Sequence, residues 1–269
     1  MSIIYSPTGR AQEYSPKAIN IYLECSHGCK YCYAPTTLHK TKDDFFKKAT
    51  PRKDIVSKLK RQLETETITE QVLLSFASDP FGPSMDENAT TWEILKLLGE
   101  YNVPTAVLTK NPGAIAKNLE IVQRFGSSFA IGTTLTFRDE MKSKIWEPNA
   151  PTSFERLVIL QTLKHIGGFT TFASFEPVIE PNESLELLKL AIGVGIDSFK
   201  LGKLSGMPEI EKTIDWSDYL SQAVRLLRCY ERSFYVKDDL ADAAKDVELT
   251  AEERDPRRND VHCIQGVPI

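Results

Sequence analysis

The sequence predicts an α/β fold in which parallel strands are joined by helices. Short apolar runs, rich in β-branched and aromatic residues, alternate about six times with segments whose apolar residues recur at helical spacing. The strand-like runs end in turn residues, mostly proline and glycine, as at 78–83 and 110–113. This alternation is typical of right-handed β–α–β crossovers. By itself it fits an open doubly wound sheet or a barrel equally well.

Each element follows from its own pattern. A polar stretch with turn residues, 3–16, is expected to form an arm before the first strand. The helical segments place apolar residues three or four positions apart, as at Ile55, Leu59 and Leu63, so one face is expected to pack on the sheet. The predicted strands are 19–23, 71–77, 104–109, 129–137, 170–178 and 198–201, with 234–237 as a candidate for a further short strand. The predicted helices are 54–66, 90–100, 114–125, 153–165, 184–193 and 215–230.

Composition is ordinary for a globular protein of 269 residues, with 41% hydrophobic and 26% charged residues. The net charge of −4 gives no global basic field of the kind that nucleic-acid binding favours. The lysine- and arginine-rich stretch 40–60 also contains Asp43, Asp44 and Asp54, which is typical of a solvated helix face. The chain shows no signal-peptide layout and no apolar run of membrane-spanning length, so a cytoplasmic protein is expected.

Three cysteines, Cys25, Cys29 and Cys32, stand in a C-x3-C-x2-C spacing directly after the first predicted strand. A disulfide would leave one thiol over, and a structural zinc site or a ferredoxin-type cluster needs a fourth ligand. The next cysteine, Cys229, is 229 − 32 = 197 positions further on. The spacing therefore favours a four-iron cluster held by three cysteines with one iron left open. A structural metal loop and three buried free thiols are the alternatives.

This motif, with Tyr31 before the third cysteine, resembles the signature of radical S-adenosylmethionine enzymes. The longer run SHGCKYCYAP resembles the branch that contains spore photoproduct lyase, as do the elements at 8–10 and 13–14. The resemblance implies a [4Fe-4S] cluster with S-adenosylmethionine on its open iron. It also implies reductive cleavage of that cofactor to a 5′-deoxyadenosyl radical, which abstracts hydrogen from a substrate. The branch suggests a nucleic acid or a nucleobase-containing substrate.

The resemblance also implies a fold and a partner. The expected fold is a partial (βα)6 TIM-like barrel with outer helices, in a single domain over 1–269. In that domain an arm, 1–18, precedes the barrel core, 19–206, and a C-terminal helix and tail, 207–269. An external one-electron reductant, such as flavodoxin or ferredoxin, is implied as a partner. Function is then expected at the carboxyl ends of the strands, where barrel loops gather.

Polar residues at these strand ends are candidates for binding S-adenosylmethionine. By the resemblance, Ser78 and Asp79 are placed to accept hydrogen bonds from its amino group, although an Asx-Pro turn explains them equally well. Lys110, after the third strand, is predicted to meet its carboxylate. Thr134 and Thr136 share one face of the fourth strand and are candidates for the ribose or methionine region. Threonine is also simply a good strand former.

Other candidates depend on burial or on position in the motif. Glu176 lies in a predicted buried strand, where a carboxylate is costly unless paired, so it is a candidate for ribose hydroxyls or substrate. Lys203 is a weaker candidate of the same kind. Tyr31 is placed to lie against the adenine. His27 is expected to pack or hydrogen-bond beside the cluster, because a fourth protein ligand would block the open iron.

The two remaining cysteines receive different predictions. Cys229 falls in a helical segment and is expected to be a small core residue. Cys263, in the tail, is a candidate hydrogen-atom donor, although its position does not match the extra cysteine of spore photoproduct lyase. Glu147 and Arg156 are expected to form a structural pair that pins the loop 146–151.

Other functions remain open at this stage. The enzyme rival is radical modification of a peptide or a small metabolite. The non-enzymatic rival is an iron–sulfur redox or sensor protein, which would have no reason to gather Ser78, Lys110 and Glu176 on one cavity. A zinc-binding structural module is a more distant alternative.

Overall fold

A computed structural model describes residues 2–262 of the chain. Its centre is a sheet of seven strands, in which each strand pairs with the next along the chain and every pairing is parallel. The strands are β1 (Lys17–Ile19), β2 (Val72–Leu74), β3 (Thr105–Leu108), β4 (Phe129–Thr134), β5 (Thr170–Phe175), β6 (Ser198–Leu201) and β7 (Ser233–Val236). The carboxyl ends of all seven strands therefore lie at one edge of the sheet.

Helices connect the strands and cover the sheet. The α-helices are α1 (Ala34–Thr37), α2 (Lys42–Phe45), α3 (Ile55–Leu63), α4 (Ala89–Glu100), α5 (Leu119–Gln123), α6 (Glu140–Trp146), α7 (Ser153–Gly167), α8 (Pro181–Gly193), α9 (Pro208–Glu211), α10 (Trp216–Cys229) and α11 (Asp238–Ala243). Short 3-10 segments occur at Gly9–Glu13, Met85–Asn88, Pro112–Asn118, Gly126–Ser128 and Glu252–Arg254.

The predicted parallel α/β fold of the partial-barrel type is confirmed, but the sheet has seven strands rather than six. The seventh, β7, is the candidate strand near 234–237, and it pairs along its length with β6. The predicted helix 114–125 is wrong in its first half, where Pro112–Asn118 forms a 3-10 segment before α5. The sequence patterns also miss α6, whose exposed Met141 and Ile145 leave it without a clear apolar face.

The two faces of the sheet bury different side chains. Val72 and Leu74 of β2 belong to a large apolar core, whereas Leu73 between them belongs to a smaller cluster with Ala106 and Phe172. Successive side chains of a strand point to opposite faces, so the large core lies between the sheet and its helices. The smaller cluster fills the concave side, as the interior of a partial barrel does.

Among the described residues β1 and β7 do not pair, so the sheet is open, and the arm before β1 bridges the gap. Lys200 of β6 donates from its ammonium nitrogen to the carbonyl of Glu13 over 2.9 Å. The hydroxyl of Tyr235, on β7, donates to the Glu13 carboxylate over 2.9 Å. Near the amino ends of the strands, the Gln71 amide donates to Asp260 over 3.0 Å, so a later segment also crosses the opening.

Gly132 of β4 provides a test of this packing. A Cβ atom built on it would lie 2.3 Å from the ring of Phe172, which fills the concave side of the sheet. We expect Gly132→Ala to lower the free energy of unfolding by about 1–3 kcal/mol, because the ring must move in a packed interior. Chemical denaturation followed by circular dichroism measures the change.

Gly193, the last residue of α8, is the matched control, since a Cβ there meets nothing within 4 Å. Gly193→Ala is expected to leave stability unchanged or raise it by up to about 1 kcal/mol. Equal effects of the two substitutions would contradict the close approach of β4 and Phe172.

Candidate functional site

A cavity of about 550 Å³ opens at the carboxyl edge of the sheet. Cys25, Cys29 and Cys32 all line it. So do seven of the eight residues predicted to bind cofactor, which are Tyr31, Ser78, Asp79, Lys110, Thr134, Glu176 and Lys203. The carboxyl ends of parallel strands meet at one edge, and this explains why residues far apart in the chain face one space. The cavity is of a size that holds a single drug-sized ligand or cofactor.

Cys29 is buried, and Cys25 and Cys32 are partly buried. Burial raises the pKa of Cys25 to about 12, and the nearby Asp79 carboxylate adds to that effect. Burial likewise raises the pKa of Cys29 to about 11 and lifts that of Cys32. Ligand thiolates in such surroundings need a positive charge beside them. A metal centre supplies that charge, so the donor set fits one.

Within residues 2–262, no three histidine, cysteine or acidic side chains lie close enough to share one metal ion.

His27 anchors the cysteine loop to two other loops. Its buried ring places Nε2 3.2 Å from the carbonyl of Phe81 and 3.3 Å from Oδ2 of Asp79, while Nδ1 lies 3.4 Å from the carbonyl of Asn149. The Asn149 side chain donates back to the carbonyl of Ser26 over 2.9 Å. Both ring nitrogens of His27 are thus engaged by protein, as expected for a residue that supports the loop.

Asp79 joins the cysteine loop to the end of β3. Its Oδ1 accepts from the Thr109 hydroxyl at 2.6 Å and from the Phe81 amide at 2.9 Å, and its Oδ2 accepts from the Lys110 amide at 2.7 Å. Burial favours the neutral acid, but the interaction with the His27 ring and these hydrogen bonds outweigh it and lower the pKa of Asp79. Asp79 is therefore a charged carboxylate that accepts hydrogen bonds at both oxygens and links the cysteine loop to the segment after β3.

Lys110 follows β3 and points its ammonium group toward the cavity. The described residues offer that nitrogen neither a hydrogen bond nor an ion pair, and it lies 5.5 Å from the ring centroid of Tyr31. Burial works against the charged form, but Cys29 and Glu147 keep the pKa of Lys110 above its ordinary value. A cation in this state is suited to bind an anionic group of a ligand.

Glu147 and Arg156 form the predicted structural pair, and both side chains are completely buried. Arg156 also donates to the carbonyl of Thr134 over 2.6 Å. The Tyr31 hydroxyl donates to the second oxygen of Glu147, a contact that the sequence does not suggest. Tyr31 is thereby tied to the wall of the cavity at its hydroxyl end.

Thr136 is not among the residues that line the cavity, and the expectation that it binds cofactor stays a prediction. It lies two residues beyond the end of β4, where the alternation used to place it no longer holds. Its hydroxyl donates to Glu147 over 3.0 Å, behind the cavity wall. Thr134, the last residue of β4, does reach the cavity.

A second polar group forms the opposite wall, at the ends of β5 and β7. Both carboxylate oxygens of Glu176 accept from the buried Lys237, at 2.9 and 2.7 Å. Tyr14 donates its hydroxyl to Glu176 over 2.7 Å, and Arg10 approaches within 3.2 Å. No local sequence pattern identifies Lys237 or Arg10 as site residues. The resemblance to the spore photoproduct lyase branch at 8–10 and 13–14 did draw attention to the N-terminal arm.

The remaining candidates occupy less central positions. Ser78 borders the cavity and donates to the carbonyl of Tyr22 over 3.4 Å. Lys203 is paired with Glu211 over 2.6 Å. Cys229 is exposed at the end of α10, so its expected place in the core is wrong. Cys263 lies outside the described residues.

No model of a known protein family matches the chain. An uncharacterized protein of Methanocaldococcus jannaschii is 27% identical over 162 residues, which is 60% of each chain. Streptococcus suis SuiB bound to S-adenosylmethionine aligns with a TM-score of 0.60 and 15% identity, over 87% of this chain and 53% of SuiB. SuiB bound to precursor peptide SuiA aligns with a TM-score of 0.62 and 16% identity, over 87% of this chain and 52% of SuiB.

This chain therefore spans about half the length of SuiB and 60% of the archaeal relative. At these identities the likeness to SuiB establishes a shared fold. Within residues 2–262, none of the helices is both long and apolar enough to cross a bilayer.

Glu176 offers a test of the second polar group. Glu176→Gln removes the main partner of the buried Lys237, whose only other carboxylate contact among the described residues is Glu13 at 3.5 Å. We expect a loss of roughly 2–4 kcal/mol in the free energy of unfolding, because a buried cation is left poorly paired. Urea denaturation measures it.

Glu186→Gln is the matched control, since Glu186 pairs with Lys189 on an exposed helix face. It is expected to change stability by less than about 0.5 kcal/mol. A Glu176→Gln effect as small as the control would show that the Lys237 pair contributes little.

Proposed function

We propose that the chain is a radical S-adenosylmethionine enzyme with one [4Fe-4S] cluster held by Cys25, Cys29 and Cys32. One observation carries the proposal: three thiols and a Lys110 ammonium that has no hydrogen bond or ion pair within residues 2–262 face a single cavity at the carboxyl edge of a parallel sheet. The fold shared with SuiB, which has been crystallised with S-adenosylmethionine, adds support. The cysteine spacing resembles this superfamily independently of the fold.

The residues of the cavity suit S-adenosylmethionine. Lys110 is the proposed partner of its carboxylate, and the Ser78 hydroxyl is available to its amino group. Asp79 is saturated by protein donors, so its proposed role is to hold His27 and Lys110 in place rather than to contact the ligand. Thr134 borders the space proposed for the ribose or methionine region.

When bound, such a cluster supplies the electron that cleaves S-adenosylmethionine to a 5′-deoxyadenosyl radical, which removes hydrogen from the substrate. The chain's own part is to bind the cofactor, to orient its charged end and to limit access of water. An external flavodoxin or ferredoxin is the proposed source of electrons. A sensor protein would not require an unpaired lysine on a cavity of this size, so the enzyme is the favoured proposal.

The wall formed by Arg10, Tyr14, Glu176 and Lys237 is the proposed contact region for the substrate, since it lies on the same cavity and joins the N-terminal arm to the ends of β5 and β7. The resemblance to spore photoproduct lyase supports a nucleobase-containing compound or nucleic acid. SuiB bound to a precursor peptide supports a peptide as the second candidate. Cys263 remains the proposed hydrogen-atom donor if the substrate radical is quenched by protein.

The three cysteines can be tested individually. Replacing Cys25, Cys29 or Cys32 by alanine is expected to remove most of the iron bound after anaerobic reconstitution, together with the electron paramagnetic resonance signal of the reduced cluster. The physical reason is that each thiolate holds a different iron. Iron and sulfide analysis of the purified proteins gives the measurement.

Cys229→Ala is the control for these variants, because Cys229 is exposed at the end of a helix. It is expected to retain the full iron content. Loss of iron from the Cys229 variant with normal iron in the Cys32 variant would overturn the ligand assignment.

The activity has its own test. The reconstituted protein, reduced with dithionite and mixed with S-adenosylmethionine, is expected to release 5′-deoxyadenosine, detected by chromatography. The Cys32→Ala protein serves as the negative control. A cluster that forms but neither binds nor cleaves S-adenosylmethionine would favour the redox or sensor rival.

A further inference from the structure

Four side chains form a continuous path from the core behind the cavity to the cavity itself. Arg156 and Glu147 lie at its inner end, with no exposed surface. Tyr31 comes next, and Lys110 stands at the cavity. The first two are not part of the cavity lining, and nothing in the proposed chemistry requires a buried ion pair at this place.

The inner end of the path is fixed in position. Arg156 lies in α7, whose first turn is held by a capping box between Thr152 and Glu155. Its guanidinium binds Glu147 and also donates to the carbonyl of Thr134 over 2.6 Å. A buried carboxylate with these partners has little freedom to move, because every alternative position leaves a charge unpaired.

Glu147 uses its two oxygens for different purposes. One accepts from Arg156 and from the hydroxyl of Thr136, the latter at 3.0 Å. The other accepts the hydroxyl proton of Tyr31. A phenol held at its hydroxyl end by Glu147, and at its other end by the backbone between Cys29 and Cys32, has the position of its ring fixed at both ends.

That ring faces Lys110. The ammonium nitrogen lies 5.5 Å from the ring centroid, a distance at which a cation is attracted to an aromatic face. The backbone of Lys110 is fixed separately by Asp79, at 2.7 Å from its amide nitrogen. Within residues 2–262 no hydrogen bond or ion pair holds the ammonium, and the Tyr31 ring is an aromatic contact for it.

We propose that Glu147 is a positioning residue that acts through Tyr31 on Lys110 and so sets the affinity for the anionic end of S-adenosylmethionine. The inference rests on the proposed function for the identity of the ligand. In this proposal Tyr31 orients the side chain of Lys110, in addition to any contact that it makes with adenine. It also gives the buried Glu147–Arg156 pair a purpose beyond pinning the loop.

The test compares two ligands that differ by one group. S-adenosylmethionine and decarboxylated S-adenosylmethionine are titrated by isothermal calorimetry into the cluster-loaded protein. The ratio of the two dissociation constants reports what the carboxylate contributes. We expect a preference of about 30-fold for the carboxylated ligand in the unmodified protein, as for a charge pair shielded from water.

Tyr31→Phe keeps the ring and removes the hydrogen bond to Glu147. It is expected to reduce the preference about fivefold, while the affinity for the decarboxylated ligand stays the same. Lys110→Met is expected to remove the part of the preference that the lysine supplies, about fivefold or more, and adding Tyr31→Phe to Lys110→Met should change nothing further. Glu147→Gln is expected to reduce the preference in the same way. It is titrated only if its thermal unfolding shows that the variant is folded.

Tyr33→Phe is the matched control. Tyr33 also borders the cavity, but its hydroxyl donates to the carbonyl of Phe76 over 3.0 Å and not to a carboxylate. It is expected to leave the ratio unchanged. The proposal is overturned if Tyr31→Phe weakens both ligands equally, which would indicate a general structural role, or if it changes neither. A protein that binds neither ligand when unmodified would remove the proposed function itself.

Discussion

The buried ion pair between Glu147 and Arg156 is the interaction on which the cysteine-loop side of the cavity depends. Glu147 directly follows α6, and Arg156 is the fourth residue of α7. Between them the short loop 147–152 presents Asn149 to the backbone of the cysteine loop. The desolvation cost of such a pair is high, and it is offset only when both partners are held in good geometry with further hydrogen bonds. Thr134, Thr136 and Tyr31 supply these bonds.

The residues along the cavity were largely predictable because of a general property of parallel sheets. Once the strands are placed, the residues that follow them must converge, so Ser78, Lys110 and Glu176 could be brought together without coordinates. The roles assigned to them by resemblance remain predictions. Thr136 shows the limit of the argument, since side-chain alternation is reliable only inside the strand, and β4 ends at Thr134.

What the sequence could not supply is the pairing of distant polar residues. Lys237 and Arg10 meet Glu176 from opposite parts of the chain, and no local spacing encodes such a contact. Cys229 illustrates a related difficulty. Its position in a helical segment suggested a core residue, but Cys229 lies four residues after the exposed Arg225, on the face of α10 opposite the buried Leu227.

The opening between β1 and β7 has a consequence for how the cavity comes into being. Its far wall needs Lys237, which is made 237 − 32 = 205 positions after the last thiol of the cysteine loop. Chains emerge from the ribosome amino end first, so the loop is complete long before the strand that encloses it. The cavity can therefore be closed on this side only after the last strand of the sheet has been made.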